Sequence, residues 1–192
     1  GKRLELDLYG TVGSIWDDGI NAAKVVALLR NAEDVTEIEC RINSMGGNAF
    51  DGIAIMNALK DHPAKVTVKV DGLAASAASI IAMAGDTIEM GEGSFLMVHR
   101  ASGFVYGQVD DMLKTAEILE KADGEIIDVY ARRSKKPVET VRGWVDAETW
   151  FTGQEAVEAG LADRIVQTPK ALENAVRALA GAQHAVLSLL HI

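Results

Sequence analysis

The chain has 192 residues, 48% of them hydrophobic and 24% charged, a balance that suits one globular domain with a substantial core. Its formal charge of −9 argues against a nucleic-acid binder and against docking on an anionic membrane, both of which need a basic surface. One cysteine, Cys40, excludes an internal disulfide framework and a multi-cysteine zinc site. No apolar run reaches the roughly 20 residues that span a bilayer, and no secretory signal is present. A cytoplasmic protein is expected.

Arg3–Tyr9 sets Leu4, Leu6 and Leu8 against Arg3, Glu5 and Asp7, which predicts a half-buried strand. Gly10 and Gly13 read as a turn, and Asp17-Asp18-Gly19 leads into a helix over about 20–30. Glu37–Ile42 alternates again, with Cys40 as a small buried apolar residue between Ile38 and Ile42. Asn43-Ser44-Met45-Gly46-Gly47-Asn48 predicts a sharp turn, then a helix to about Asp61 that Pro63 ends. Lys65–Val70 is a third strand. This strand–helix rhythm implies crossover connections and a mostly parallel sheet.

After Asp71-Gly72-Leu73 comes the small-residue segment Ala74–Ala84, then two short strands over Thr87–Met90 and Ser94–His99. From 108 to 133, Val109, Met112, Ala116, Leu119, Ala122, Ile126 and Tyr130 step by three or four, which predicts one helix. At 1.5 Å per residue it is about 37 Å long. That exceeds what a domain of this size needs for its own core, so the helix is expected to project and pack against another subunit. Short helices are predicted over Val138–Trp144 and Glu155–Ala159, the second closed by Gly160, and a last strand over Ala162–Val166. The domain is assigned to residues 1–167. Residues 168–192 read as an Ala/Leu-rich helical tail that leads toward a further region.

Three positions can carry chemistry. Ser76 stands between an apolar strand and a small-residue helix, where unpaired backbone N–H groups can hold an oxyanion. It can equally be a plain N-cap. Gly46-Gly47 exposes backbone N–H groups at a strand-to-helix turn, and can equally be a tight turn that needs positive φ. His99 ends an apolar strand, as a general base or as a satisfied structural histidine. Asp146 and Glu148 are the nearest acids that could orient such a base, and both can equally be surface carboxylates. No histidine pair has metal-ligand spacing.

The order of these segments is more specific than any one of them. Ile42-Asn43-Ser44-Met45-Gly46-Gly47, Gly72-Leu73-Ala74-Ala75-Ser76, Leu96-Met97-Val98-His99 and the run from Trp150 to Asp163 together resemble the Clp proteolytic subunit family, from about Leu4 to Val166. The resemblance implies an α/β fold, a crotonase-like β-α spiral with a projecting handle helix, here 108–133. It implies a serine endopeptidase with Ser76 as nucleophile and His99 as base. Gly47 and Ala77 would donate the oxyanion N–H groups, and Gly46 would help clamp an extended substrate. An ungapped alignment puts Glu148 at the family's aspartate. Asp146 is the alternative acid, two residues earlier and on the same side if the segment is a strand. No cofactor and no metal is implied. The implied partners are a polypeptide substrate and further copies of the chain in a homo-oligomeric ring.

The chain also departs from the family pattern. Met45 replaces the familiar proline before the two glycines. The N-terminal region that forms axial loops against an ATPase unfoldase is absent or very short, which weakens the case for that partner. The short N-terminus, Trp16-Asp17-Asp18-Gly19, Phe50-Asp51-Gly52-Ile53-Ala54 and Asp146-Ala147-Glu148-Thr149-Trp150-Phe151 are similar to the Clp-like proteases of tailed phages and prophages. That likeness implies scaffold and capsid proteins as substrates, in the host cytoplasm or the prohead. The alternatives are a general protein-degrading subunit, an inactive structural relative, and a CoA-dependent hydratase or isomerase of the same fold. A CoA enzyme would leave Ser76 and His99 without roles, and the presence of serine, histidine and acid counts against degeneracy.

Overall fold

The computed structural model describes residues 1–13 and 19–167. Strands β1 (Lys2–Val12), β2 (Val35–Gly47) and β3 (Lys65–Ala75) run parallel and form the sheet's main body. Their alternation decides which face is covered. Leu8, Ile38, Ile42, Val66, Val68 and Val70 are buried in one apolar cluster. Helices α1 (Ala22–Arg30), α2 (Ala49–Asp61) and α3 (Ala77–Ala82) contribute Leu29, Ile55, Leu59 and Ile81 to the same cluster. The other face is a ladder of cross-strand ion pairs, which joins Arg3 and Lys69 to Glu39 and joins Arg164 to Glu89.

β3 is the branch point of the sheet. Its first half pairs with β4 (Thr87–Gly91), which in turn carries β7 (Arg164–Val166). Its second half, from Leu73 to Ala75, pairs with β5 (Phe95–Val98) instead. β6 (Thr149–Thr152) then closes antiparallel on β5. Among the described residues the strands thus form one branched seven-stranded sheet, parallel except for β5 against β6, in an α/β fold as the resemblance implies.

Helix α4 (Val109–Ser134) has 26 residues, and only its second half reaches the core. Ile126, Ile127, Val129 and Tyr130 are buried, whereas Val109 is 70% and Leu113 58% exposed. The first half projects, as its length predicts. α5 (Val138–Asp146) and α6 (Gly153–Ala159) follow, and α6 ends on Gly160 in the left-handed conformation at φ 79°.

Several sequence expectations change. Gly10 is not a turn but a bulge inside β1, where the register with β2 shifts. The expected sharp turn at 43–48 is mostly strand, because β2 continues irregularly to Gly47. Asp71-Gly72-Leu73 likewise extends β3 and does not break it. β6 was not expected as an element of its own. Asp146 closes α5 and does not lie on a strand, because Val141 and Val145 set a helical period that buries both. The predicted tail at 168–192, and Trp16-Asp17-Asp18, lie outside the described residues.

Candidate active site

Parallel strands release their chains at one edge, and that edge is where ligands bind in open α/β sheets. Here β2, β3 and β5 end side by side. Ser44 pairs with Ala74, and Ala75 pairs with Met97. Running each register forward brings Gly46-Gly47, Ser76 and His99 to neighbouring positions. Segments separated by dozens of residues thus converge through strand pairing alone.

Ser76 sits at the N-cap position of α3, but its side chain makes no capping hydrogen bond. Its Oγ lies 2.7 Å from His99 Nε2. The backbone at Ser76 has φ 54° and ψ −125°, a conformation that L residues adopt only under strain. Strain at a strand-to-helix serine is the geometry of a nucleophile elbow, which lifts Oγ clear of the helix. The Ser76 N–H is held by Met97 O at 3.0 Å, so the elbow is fastened to the strand that delivers His99. A plain N-cap serine has none of these features.

Gly46 packs directly against this elbow, and Gly47 beside it packs against Val12 of β1. Gly46 has φ +94°, and a Cβ there would lie 2.5 Å from Ala75 O, 2.7 Å from Ser76 Cβ and 2.9 Å from Ala77 N. Gly47 has φ +147°, and a Cβ would meet Val12 O at 2.1 Å. Both positions therefore require glycine twice over, by conformation and by space. The Ala77 N–H is at the first position of α3, where a helix supplies no backbone acceptor. Gly47 lines the same cavity as Ser76 and His99, and the Ala77 N–H follows Ser76 directly.

The third position is less complete. Val98 and Thr149 are the last pair of β5 and β6, so one further step sets Glu148 opposite His99. Glu148 has φ 49°, and its exposed carboxylate accepts from Trp150 Nε1 at 3.4 Å. Asp146 Oδ1 stands 3.7 Å from Arg100 Nε. Neither acid bonds the His99 ring in this structure, whose contact among the described residues is Ser76.

A cavity of about 200 Å³ opens beside Ser76 and His99. Phe50, Ile80, Ile118, Leu119, Ala122 and Ile126 give it apolar walls. It can take an apolar side chain adjoining a scissile bond. Cys40 offers no competing nucleophile, because burial pushes its thiol up to about 12. Among the described residues, no group of three or more His, Cys, Asp or Glu side chains could hold a metal ion. No helix among them is long and apolar enough to cross a membrane.

Two supporting groups escaped the sequence reading. Asp123 is buried on α4 and accepts from Ala101 N at 2.6 Å and Arg100 Nε at 2.8 Å, which fixes the loop just after His99. Tyr130 is buried on the same helix with its hydroxyl 2.7 Å from Ser79 Oγ. The available signal was a polar atom beside the apolar stripe: Asp123 follows Ala122, and the Tyr130 hydroxyl lies on the stripe itself.

Comparison with known proteins points one way. The profile of the family described as Clp protease matches residues 12–169. The ATP-dependent Clp protease proteolytic subunit 1 of Protochlamydia amoebophila is 32% identical over 69% of this chain and 66% of its own length. Its counterpart in Corynebacterium jeikeium is also 32% identical, over 88% of this chain and 92% of its own. A structure of a ClpP1 variant from Listeria monocytogenes superposes with a TM-score of 0.75 over 86% of this chain and 92% of that one. At 21% identity that last likeness speaks for the fold alone.

Proposed function

This chain belongs to the Clp protease family, and from that premise we propose that it is a serine endopeptidase working through Ser76, His99 and Glu148. The observation that carries the reading is the 2.7 Å contact between Ser76 Oγ and His99 Nε2 at a strained elbow. His99 takes the hydroxyl proton as Oγ attacks the scissile carbonyl. The oxyanion settles on the Gly47 and Ala77 N–H groups, each worth about 2.7–4 kcal/mol in the transition state. His99 then hands its proton to the leaving amine, and water resolves the acyl-enzyme. Glu148 swings from Trp150 to the free side of the His99 ring and holds its tautomer. Asp146 is the weaker alternative because Arg100 already engages it.

The cavity beside Ser76 favours an apolar residue on the acyl side of the cleaved bond. The exposed apolar first half of α4 supports assembly with further copies of the chain, and a ring is the form we propose. The named relatives are proteolytic subunits of ATP-dependent proteases, which supports protein degradation as the task. Processing of phage scaffold and capsid proteins rests on the sequence motifs at 16–19, 50–54 and 146–151 alone.

Labelling with a fluorophosphonate, read by intact mass and peptide mapping, tests this. The full chain should gain one adduct, on Ser76, and Ser76→Ala should gain none. His99→Ala should slow labelling by about 10⁴-fold. Glu148→Gln should slow it by at least about tenfold, and Asp146→Asn by less than about threefold. No adduct, even under conditions that favour assembly, would overturn the reading. An adduct on Ser79 would show that the nucleophile is misassigned.

A further inference from the structure

We propose that the Tyr130 and Ser79 hydroxyls form a buried relay that aims the Ala77 N–H at the oxyanion, which makes both of them positioning residues. The inference rests on the reading of Ser76 as nucleophile. Ser79 Oγ lies 2.6 Å from Ser76 O and 2.7 Å from Tyr130 Oη. Proton counting gives this chain one direction. Ser76 O can only accept, so it takes the single Ser79 hydroxyl proton. Ser79 Oγ is then left to accept, and Tyr130 must donate. Burial also raises the phenol's pKa, which keeps that proton in place.

The Ser76 carbonyl already accepts from Ser79 N at 2.9 Å and Ile80 N at 3.3 Å, as the first turn of a helix requires. The hydroxyl bonds are additional to what α3 needs. They involve two side chains that are almost wholly buried, Ser79 at 0% and Tyr130 at 1% exposure. Burying hydroxyls in an apolar wall is unfavourable unless they bond, and phenylalanine and alanine would fill the same space without that demand.

What the carbonyl controls is the other end of its own peptide. In a trans peptide the C=O and the following N–H share one plane and point in opposite directions. Ser76 O and Ala77 N–H belong to one such unit. Drawing the oxygen inward toward α3 and α4 turns the Ala77 N–H outward, to the side where Gly46 packs against Ala77 N. The strained φ at Ser76 makes this restraint necessary, because rotation of that peptide would relax the elbow and take the donor with it. α4 therefore bears on catalysis twice, walling the substrate cavity with Ile118 and Leu119 and holding the oxyanion donor through Tyr130.

The test uses the full chain, a fluorogenic peptide substrate and a peptide boronate, whose tetrahedral adduct fills the oxyanion position. Tyr130→Phe deletes one oxygen without changing packing. Its kcat should fall about tenfold, with KM within about twofold of wild type, and Ser79→Ala should fall about thirtyfold. The double variant should be no slower than Ser79→Ala, because Tyr130 acts through Ser79. Boronate affinity should fall in step with kcat/KM while the product peptide binds unchanged. Ser79→Thr, which keeps the hydroxyl, should recover most of the rate. Wild-type kcat and boronate affinity in Tyr130→Phe would overturn the relay, as would multiplicative losses in the double variant or a lowered melting temperature with kcat intact. A wild type that neither turns over nor labels at Ser76 would instead remove the parent reading, and the relay with it.

Discussion

The chain leaves β2 for α2 and β3 for α3 through two strand-to-helix turns that handle the same problem in opposite ways. At the first, Gly46 and Gly47 take the positive φ values, where they cause little strain. Asn48 then caps α2 by accepting from Phe50 N at 2.9 Å and Asp51 N at 3.1 Å. At the second, a serine takes the positive φ, its side chain ignores the helix end, and its hydroxyl goes to a histidine instead. One turn is relaxed and satisfied. The other is strained and leaves donors open. The difference teaches which of two similar glycine- and alanine-rich segments bears backbone strain and which relieves it.

The harshest way to break this comparison is Gly46→Ala. The new methyl needs φ +94° and would stand 2.5 Å from Ala75 O, a backbone atom that cannot step aside cheaply. Stability should fall by about 2 kcal/mol or more. Labelling of Ser76 should slow by more than about a hundredfold, because the relaxed turn would push on the strained one. Urea unfolding and probe kinetics check both. A stable variant with normal labelling would show that the two turns do not touch in solution.

Ser76→Gly sharpens the contrast from the other side. Glycine reaches φ 54° without strain, so this inactive variant should be more stable than the equally inactive Ser76→Ala, by about 1 kcal/mol. Both lack the hydroxyl and its bond to His99, so the difference isolates the backbone. Equal unfolding midpoints would mean that the elbow stores no strain.

How much of this was legible in the sequence differs by element. The parallel sheet, the projecting helix and the capped α6 follow from period and punctuation, but β2 and β3 each run five residues past their expected ends. Gly10 and the segment 43–47 read as turns in the sequence, and the strand expected over 65–70 stops short of 71–75, for one reason. Glycine and asparagine usually punctuate, but strand pairing carried the chain through them as bulges and irregular strand. Ser76, His99 and the two glycines were legible as residue types but ambiguous singly. Only the strand register shows that they meet. The acid stays open because β6 is only four residues long and too short to read as a strand, so the residue pattern does not choose between Asp146 and Glu148. The Tyr130–Ser79 contact was invisible, since its two members are 51 positions apart and both belong to apolar patterns.

A third strand-to-helix turn, from β6 into α6, supplies the mildest test. It resembles the satisfied turn and not the strained one. Thr152 Oγ1 accepts from Glu155 N at 3.3 Å, and Glu155 Oε2 accepts from Thr152 N at 2.8 Å, a reciprocal capping box. The Thr152 backbone N–H, and then its hydroxyl, hold the Glu155 carboxyl below its ordinary value. A depressed carboxyl stabilises the fold above the ordinary glutamate range, and that contribution fades as pH falls through the lowered value. Stability measured by urea midpoint should therefore drop on acidification by slightly less in Glu155→Gln than in the wild type, with equal rates of Ser76 labelling at neutral pH. The effect is small because the carboxylate is fully exposed and water competes for it. If labelling fell with this substitution, the turn at Thr152 would bear on the strained turn at Ser76, and the division between satisfied and strained turns would have to be redrawn around β5 and β6.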